Sequence, residues 1–326
     1  MSFVVSFFIP EKYLPDAARR EAWKSGVGLS LLGEGKAATA QAWIYQTWLK
    51  LTEAGFPACL VHDLPKAGIV VALTGTLPPR YRPPGAQFLL GVAADGLPHP
   101  GANLHLLQNA AHAARLPGSV FMPHWPHPQL VPRDPQRGDV FRNVRFHGDA
   151  RNLPGELAAP AFAEALRTQL DLTFEIRPPN QWHDYSDADC VLAIRTFDRK
   201  PLLSKPATKL YNAWLAGVPV LGGLDSAVRS DGNAGTDYLP CKSPNEVFDA
   251  LHRLKADAVL RRSLVESGTR TGQKFSQSAT SDRWKELLLS VCDTHAPRWQ
   301  NRSSMGRRVF YLRQEILLAI DRAFLS

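Results

Sequence analysis

The sequence predicts an α/β protein with two domains, each built from a parallel sheet covered by helices. The chain has 326 residues, more than one hydrophobic core usually serves. In both halves, short apolar segments of strand type alternate with longer segments of helical periodicity. A proline-rich stretch at 123–135, HWPHPQLVPRDP in its main part, can form neither a helix nor a central strand. We therefore expect one domain at 1–135, a second at 136–300, and a closing amphipathic helix at 301–326 that packs back on the first.

Composition narrows the class of protein. Hydrophobic residues make up 44% and charged residues 21%, as in ordinary globular proteins. The formal net charge of +8 suits an anionic partner: nucleic acid, an anionic membrane or a phosphorylated small molecule. No block of lysines and arginines with interleaved aromatics occurs, so we expect no nucleic acid partner.

The spacing of cysteines and histidines indicates the redox state of the compartment and whether a metal site is expected. The four cysteines lie far apart with no CxxC pair, as expected of free thiols in a reducing cytoplasm. His124 and His127 form an H-x-x-H, but the prolines around them prevent a helix that aims both rings at one ion. We expect no metal site.

The first half reads as a doubly wound unit. A strand at 3–9 leads through a glycine-containing loop, ending in GEGK at 33–36, to a helix at 38–54 and a strand at 57–61. Four more strands are predicted at 67–73, 87–93, 103–107 and 119–122.

The second half repeats the alternation. Strands are predicted at 143–147, 173–176 and 190–194, with a helix at 160–170. Three helices follow at 244–254, 258–267 and 281–292, and the order indicates a second parallel sheet.

The stretch 203–230 carries the chemistry of the second half. Thr208 follows Pro206 at a helix start, Gly217 ends the helix, and Val218 to Leu221 form a buried strand. Lys205 and Lys209 flank the helix N-terminus, where free N–H groups and the helix dipole favour an anion. This pattern predicts a phosphate site.

The segment KPATKLYNAWLAGVPV at 205–220, in this two-domain context, resembles the donor-site helix of GT-B glycosyltransferases related to family 4. The resemblance implies two Rossmann-like domains facing across a cleft and a nucleotide-sugar donor, with no other cofactor, in the second domain. It also implies a metal-independent transfer to a glycan or lipid-linked acceptor, and a cytoplasmic enzyme of surface polysaccharide synthesis.

Two positions depart from that family. Alignment on AGVPV places Ser204 and Asn212 where the family has the two glutamates of E-x7-E. An amide at Asn212 can still bond a sugar hydroxyl or ribose, but it carries no counter-charge. The chain thus resembles a divergent relative; a scaffold protein with lapsed activity and a nucleotide-sugar epimerase stay open as alternatives.

Donor-side candidates are residues expected at strand ends and helix starts. Cations are expected to stabilise the departing diphosphate, and a glycine after the first strand lets backbone approach it. The resemblance further places an aromatic loop against the nucleobase. The donor-side candidates are Gly148, Asp149, Trp182, His183, Tyr185, Arg195, Lys205, Lys209, Asn212, Asp225 and Ser226.

Three further features of the sequence each allow more than one interpretation. Glu34 and His99 are candidate bases for the acceptor. Asp187-Ala-Asp189 matches the D-x-D pattern of metal-dependent transferases, although helix capping is the favoured interpretation. The segment 307–324 is amphipathic and basic, which fits packing on the first domain and also contact with an anionic membrane.

Overall fold

The computed structural model describes residues 3–24, 35–198 and 200–325 and divides into two compact units. The first unit combines residues up to His124 with 203–206 and the chain from Thr280, and the second comprises 125–202 and 207–279. These bounds differ from the predicted 135 and 300. Val131 already pairs with Asp184 of the second unit, whereas Trp284 packs against Phe7 of the first, with ring centres 6.2 Å apart.

The first unit contains a six-stranded parallel sheet in the order β2-β1-β3-β4-β5-β6. All six predicted strands are confirmed, because each is a short apolar run bounded by turn residues. Their bounds are β1 Val5–Phe8, β2 Cys59–Val61, β3 Gly68–Leu73, β4 Gln87–Val92, β5 Leu104–Leu107 and β6 Ser119–Phe121.

Helices of the first unit follow the pattern less closely. The predicted helix at 38–54 is present as α2 (Gly35–Ala40), a π-helical turn (Gln41–Tyr45) and α3 (Gln46–Glu53). Apolar periodicity does not predict two further helices, α1 (Ala17–Lys24) and α4 (Ala110–Arg115). Both are short and rich in alanine and arginine.

The second unit contains a five-stranded parallel sheet in the order β11-β10-β9-β7-β8. Its strands are β7 Asn143–His147, β8 Thr173–Arg177, β9 Cys190–Ala193, β10 Val220–Gly222 and β11 Leu239–Pro240. After β7 the chain adds β8 on one side, then returns to add β9 on the other. The order therefore reverses between β7 and β9, and ligands of such sheets bind beyond the carboxyl ends of the strands at this switch point.

Helices cover the second sheet, and those at 160–170, 208–215, 244–256 and 258–272 lie where the sequence predicts them. The covering helices are α5 Gly155–Ala158, α6 Pro160–Leu170, α7 Thr208–Leu215, α8 Ser226–Asp231, α9 Pro244–Ala256 and α10 Ala258–Gly272. Leu166 of α6 and Leu251 of α9 are fully buried with Phe146 and Leu192 of the sheet. This core holds the strand ends in place.

The chain closes with α11 (Gln277–Ser290), a π-helical turn (Val291–His295), α12 (Ala296–Gln300) and α13 (Ser304–Leu325). From Thr280 onward these elements belong to the first unit. In the described parts of the chain, no helix combines the length and apolarity needed to cross a bilayer.

Candidate functional site

The carboxyl edge of the second sheet brings several predicted residues together. Gly148 directly follows β7, and Arg195 lies two residues beyond β9. Because β7 and β9 are parallel neighbours, both residues flank the switch point. This edge is therefore the candidate site.

Lys209 lies across the end of β7. It is the second residue of α7, and its Nζ is 4.9 Å from the centre of the Phe146 ring. A Cβ at Gly148 would lie 2.6 Å from Lys209 Cε and 2.9 Å from Nζ. Gly148 thus makes room for the lysine, whose charge is held over an aromatic face at the strand end.

The N-terminus of α7 adjoins that lysine. Its N-cap is Ala207, which offers no side-chain acceptor to the first-turn N–H groups. An uncapped helix start with a lysine beside it favours an anion, since N–H groups and the helix dipole act in the same direction. At the other end, Gly217 adopts a φ of +71°, as expected for the predicted glycine stop.

A buried aromatic stack closes the inner side of the edge. The rings of His147 and Tyr185 are parallel, with centres 3.8 Å apart and an interplanar angle of 4°. Burial, reinforced by Arg177, lowers the pKa of His147 to about 3, although the main chain of Trp182 opposes this, and burial raises the pKa of Tyr185. His147 is therefore neutral at physiological pH.

His147, which lies at this edge, is not among the candidates predicted from the sequence. The one available signal is a polar side chain that closes an otherwise apolar, buried strand immediately before a glycine.

Solved structures of similar fold include glycosyltransferases. AviGT4, described as a glycosyltransferase involved in avilamycin A biosynthesis, is 15% identical with a TM-score of 0.53 over 89% of this chain and 98% of that one. Anabaena Alr3699/HepE, solved in complex with UDP and glucose, is 12% identical with a TM-score of 0.51 over 88% of this chain and 100% of that one. The chain has a GT-B fold. The predicted fold class is confirmed, whereas no protein-family model and no curated sequence matches the chain.

On this GT-B fold, Asp149 sits at the rim of the edge. It accepts a hydrogen bond from the main-chain N–H of Arg151 at 2.9 Å and pairs with its guanidinium at 2.5 Å. These hydrogen bonds lower the pKa of Asp149 to about 2, so the carboxylate stays charged. It caps a short 3-10 turn at Ala150–Asn152.

Asn212, aligned with a family glutamate, is buried and engaged with the protein. Its Oδ1 accepts the His127 N–H at 3.0 Å, and the hydroxyl of Tyr185 interacts with it. The amide thus ties residues near the start of the second unit to α7. A bond from Asn212 to a sugar stays a prediction.

Arg195 and Asp225 form an ion pair at 3.3 Å. Asp225 is fully buried and also accepts the Val228 N–H at 3.3 Å, which caps α8. The neighbouring Ser226 donates its main-chain N–H to the Pro201 carbonyl at 3.0 Å. Asp225 is therefore the N-cap of α8, and donor contacts by these residues stay predictions.

Trp182 and His183 lie in the loop that leads into Tyr185. Trp182 donates its indole N–H to the Arg177 carbonyl at 2.9 Å, and the His183 ring lies 5.4 Å from that of His127. Their contact with a nucleobase stays a prediction.

Lys205 belongs to the first unit, whereas Lys209 belongs to the second. The Lys205 Nζ pairs with Asp95 at 3.2 Å, and its carbonyl accepts the Asn109 side-chain amide at 3.0 Å. Of the two lysines predicted to bind phosphate, only Lys209 lies in the second unit, beside the start of α7.

The two candidate bases lie in the first unit or outside the described residues. His99 accepts the Gly101 N–H at Nδ1 and bonds the Pro78 carbonyl through Nε2, both at 3.0 Å, and burial lowers its pKa. Both nitrogens are thus engaged, so a role as base would require the ring to give up one bond. Glu34 lies outside the described residues.

The aspartates of the D-x-D pattern are bound by arginines. Asp187 pairs with Arg145 at 2.6 Å, and Asp189 pairs with Arg137 at 2.7 Å. Over the described residues, no group of three histidine, cysteine or acidic side chains is arranged to hold a metal ion.

Proposed function

We propose that this GT-B protein transfers a sugar, of hexosyl type, from a nucleotide-sugar donor. The observation that carries the proposal is the position of Lys209 at the switch point. Its ammonium group lies across Gly148, beside the uncapped start of α7. This arrangement suits the diphosphate of a donor, which needs positive charge and close backbone approach.

The chemistry follows from charge that develops on the leaving group. When the glycosidic bond to the donor breaks, negative charge grows on the nucleoside diphosphate. Lys209 and the N–H groups of α7 are preorganised to stabilise it, so transfer proceeds without a metal in this proposal. The neutral His147, beside Gly148, offers a hydrogen bond to the donor sugar or phosphate.

The acceptor is proposed to be a glycan or a lipid-linked sugar in surface polysaccharide synthesis. Two observations support the donor class and the compartment. Structures of similar fold contain UDP with glucose and UDP alone. The four cysteines are free, as expected in a reducing cytoplasm.

A ligand screen tests the donor site. UDP, GDP, CDP and dTDP are added in turn to the full chain, and the shift in melting temperature is measured. We expect one nucleotide to stabilise the protein and Lys209→Ala to abolish the shift. Lys274→Ala, which removes an exposed lysine of the same unit, serves as the control and should retain the shift. If no nucleotide stabilises the wild type, the proposed donor class is wrong. If Lys209→Ala binds normally, the donor site does not involve Lys209.

A second candidate is a GT-B protein that binds nucleotide sugar but no longer transfers it. The observation that favours it is Ser204 and Asn212 in place of two glutamates, with Asn212 already bonded to the main chain of His127. A nucleotide-release assay with the stabilising donor separates the two. Release of the diphosphate supports the transferase, and binding without release supports the second candidate.

A further inference from the structure

The outer face of α13 is apolar along its whole length. Six large side chains, each more than half exposed, recur every three or four residues on this face. This apolar stripe consists of Met305, Val309, Leu312, Ile316, Ile320 and Phe324.

The opposite face of α13 is anchored in the first unit. Leu318 is buried in a cluster with Ala93, Leu107 and Leu116. Asp321, buried beside it, pairs with His112 at 2.9 Å. The helix is therefore packed in one orientation, and the exposure of the apolar stripe follows from that orientation.

The acids of α13 are paired with the first unit, whereas two of its exposed arginines are not, in the part of the chain that the structure describes. Glu315 pairs with Arg82, and Asp321 is buried on its histidine, so both acids of the helix are held by partners of the first unit. Arg308 and Arg313 precede and follow stripe residues on opposite flanks of the helix, and both are exposed. Within the described residues, neither arginine takes part in an ion pair. The surface is thus an apolar band with basic borders.

A second copy of the chain is disfavoured as the occupant. The spacing Met305, Val309, Leu312, Ile316 fits a coiled-coil seam, but a parallel pair sets Arg308 against Arg313 of the other copy. An antiparallel pair that layers Leu312 on Ile316 sets the two copies of Arg313 against each other. Like charges beside the seam oppose either dimer, whereas an anionic surface is attracted by the same arginines.

We propose that the outer face of α13 lies on an anionic lipid bilayer, with the apolar stripe at the acyl boundary and Arg308 and Arg313 at the headgroup phosphates. A helix with an apolar face and cationic borders has the chemistry of an interfacial helix. The proposal is independent of the donor site, because its residues belong to another unit.

Vesicle flotation with the full chain tests this surface. The vesicles are phosphatidylcholine alone or phosphatidylcholine with one third phosphatidylglycerol. We expect the wild type to float with the anionic vesicles and to stay in the bottom fraction with the neutral ones. Leu312→Ser/Ile316→Ser and Arg308→Glu/Arg313→Glu should each lower binding about tenfold or more, the first by loss of apolar burial and the second by loss of attraction.

Matched variants outside the helix control for general effects. Val259→Ser removes an equally exposed apolar side chain from α10, and Arg270→Glu reverses an exposed charge on the same helix. Both should bind vesicles like the wild type, with unchanged melting temperatures. The proposal is overturned if the wild type ignores anionic vesicles or if the stripe variants bind as well as these controls. Light scattering that shows a dimer dispersed by Leu312→Ser/Ile316→Ser would assign the stripe to a second copy instead.

Discussion

The two edges of the second sheet use charged residues in opposite ways. At the amino edge, Asp189 immediately precedes β9 and accepts hydrogen bonds from Arg133 and Arg137, as well as from the N–H groups of Arg142 and Asn143. At the carboxyl edge, Lys209 rests on an aromatic ring beside an uncapped helix start. At the amino edge the carboxylate of Asp189 is bonded within the protein. At the carboxyl edge Arg195 is likewise paired with Asp225, whereas Lys209 is the cation that we propose to contact the donor diphosphate.

The difference between the two edges also bears on the interpretation of the D-x-D pattern. In sequence, Asp187-Ala-Asp189 matches the D-x-D pattern of metal-dependent transferases, with helix capping as the favoured interpretation. Capping is wrong, because these residues lie between a 3-10 turn at Pro179–Gln181 and β9 and no helix of the described chain begins there. In the structure, Asp189 lies at the edge opposite to that where parallel sheets bind ligands, and its carboxylate is fully bonded. The pattern is structural because its partners are arginines.

The largest expected effect comes from removing the amino-edge carboxylate. Asp189→Ala leaves Arg133 and Arg137 without their buried partner, and breaking such a pair costs about 3–5 kcal/mol. Denaturant unfolding measures the loss in the free energy of unfolding. Asp139→Ala, which removes an exposed carboxylate paired with Arg262, should cost less than about 1 kcal/mol. Equal losses in the two variants would mean that the edges do not differ as described.

Lys209→Met should give the reverse pattern. Loss of one charge that stabilises the diphosphate is expected to lower donor turnover by about 10²–10³. The free energy of unfolding should fall by about 1 kcal/mol or less, the scale of a partly exposed contact between a cation and an aromatic ring such as that with Phe146. Steady-state rates with the donor identified in the nucleotide screen, measured beside unfolding curves, check both. A large loss of stability with normal turnover would mean that Lys209 stabilises the fold and does not act on the donor.

Gly148→Ala should act on the ligand through Lys209. The new Cβ would lie 2.6 Å from Lys209 Cε, so the flexible end of that side chain must move aside. We expect nucleotide affinity, measured by calorimetry, to fall about fivefold, which is about 1 kcal/mol. The stability of the protein should change little. Gly155→Ala is the control because nothing lies within 4 Å of its added Cβ. Unchanged affinity in Gly148→Ala would show that the lysine need not occupy that place.

The last prediction concerns the pH dependence of the stability that Asp189 supplies. Burial alone would raise the pKa of Asp189, but hydrogen bonds from Arg137, Arg142, Asn143 and Arg133 outweigh it, and the pKa is lowered. Its stabilisation is therefore complete above the unfolded pKa of about 3.9 and is lost as pH falls through the lower folded value. Acid unfolding followed by circular dichroism should show wild type and Asp189→Asn converging in stability below that range. A gap that persists in strong acid would contradict the assignment.

Sequence by itself determined most elements of this protein. The strand at 143–147 and the helix at 160–170 occur with the predicted bounds, and Gly217 ends α7 with the positive φ that a glycine stop predicts. These features depend on neighbours within one or two turns of chain. Local propensity and apolar periodicity are therefore sufficient to place them.

Only the tertiary structure decided which side chains meet. Asp189 accepts a hydrogen bond from Arg137, 52 residues away in sequence. Lys209 lies over Gly148, and Tyr185 stacks on His147. Lys205, four residues from Lys209 in sequence, belongs to the other unit and pairs with Asp95. Such pairings depend on how strands and helices pack, and no local pattern encodes them.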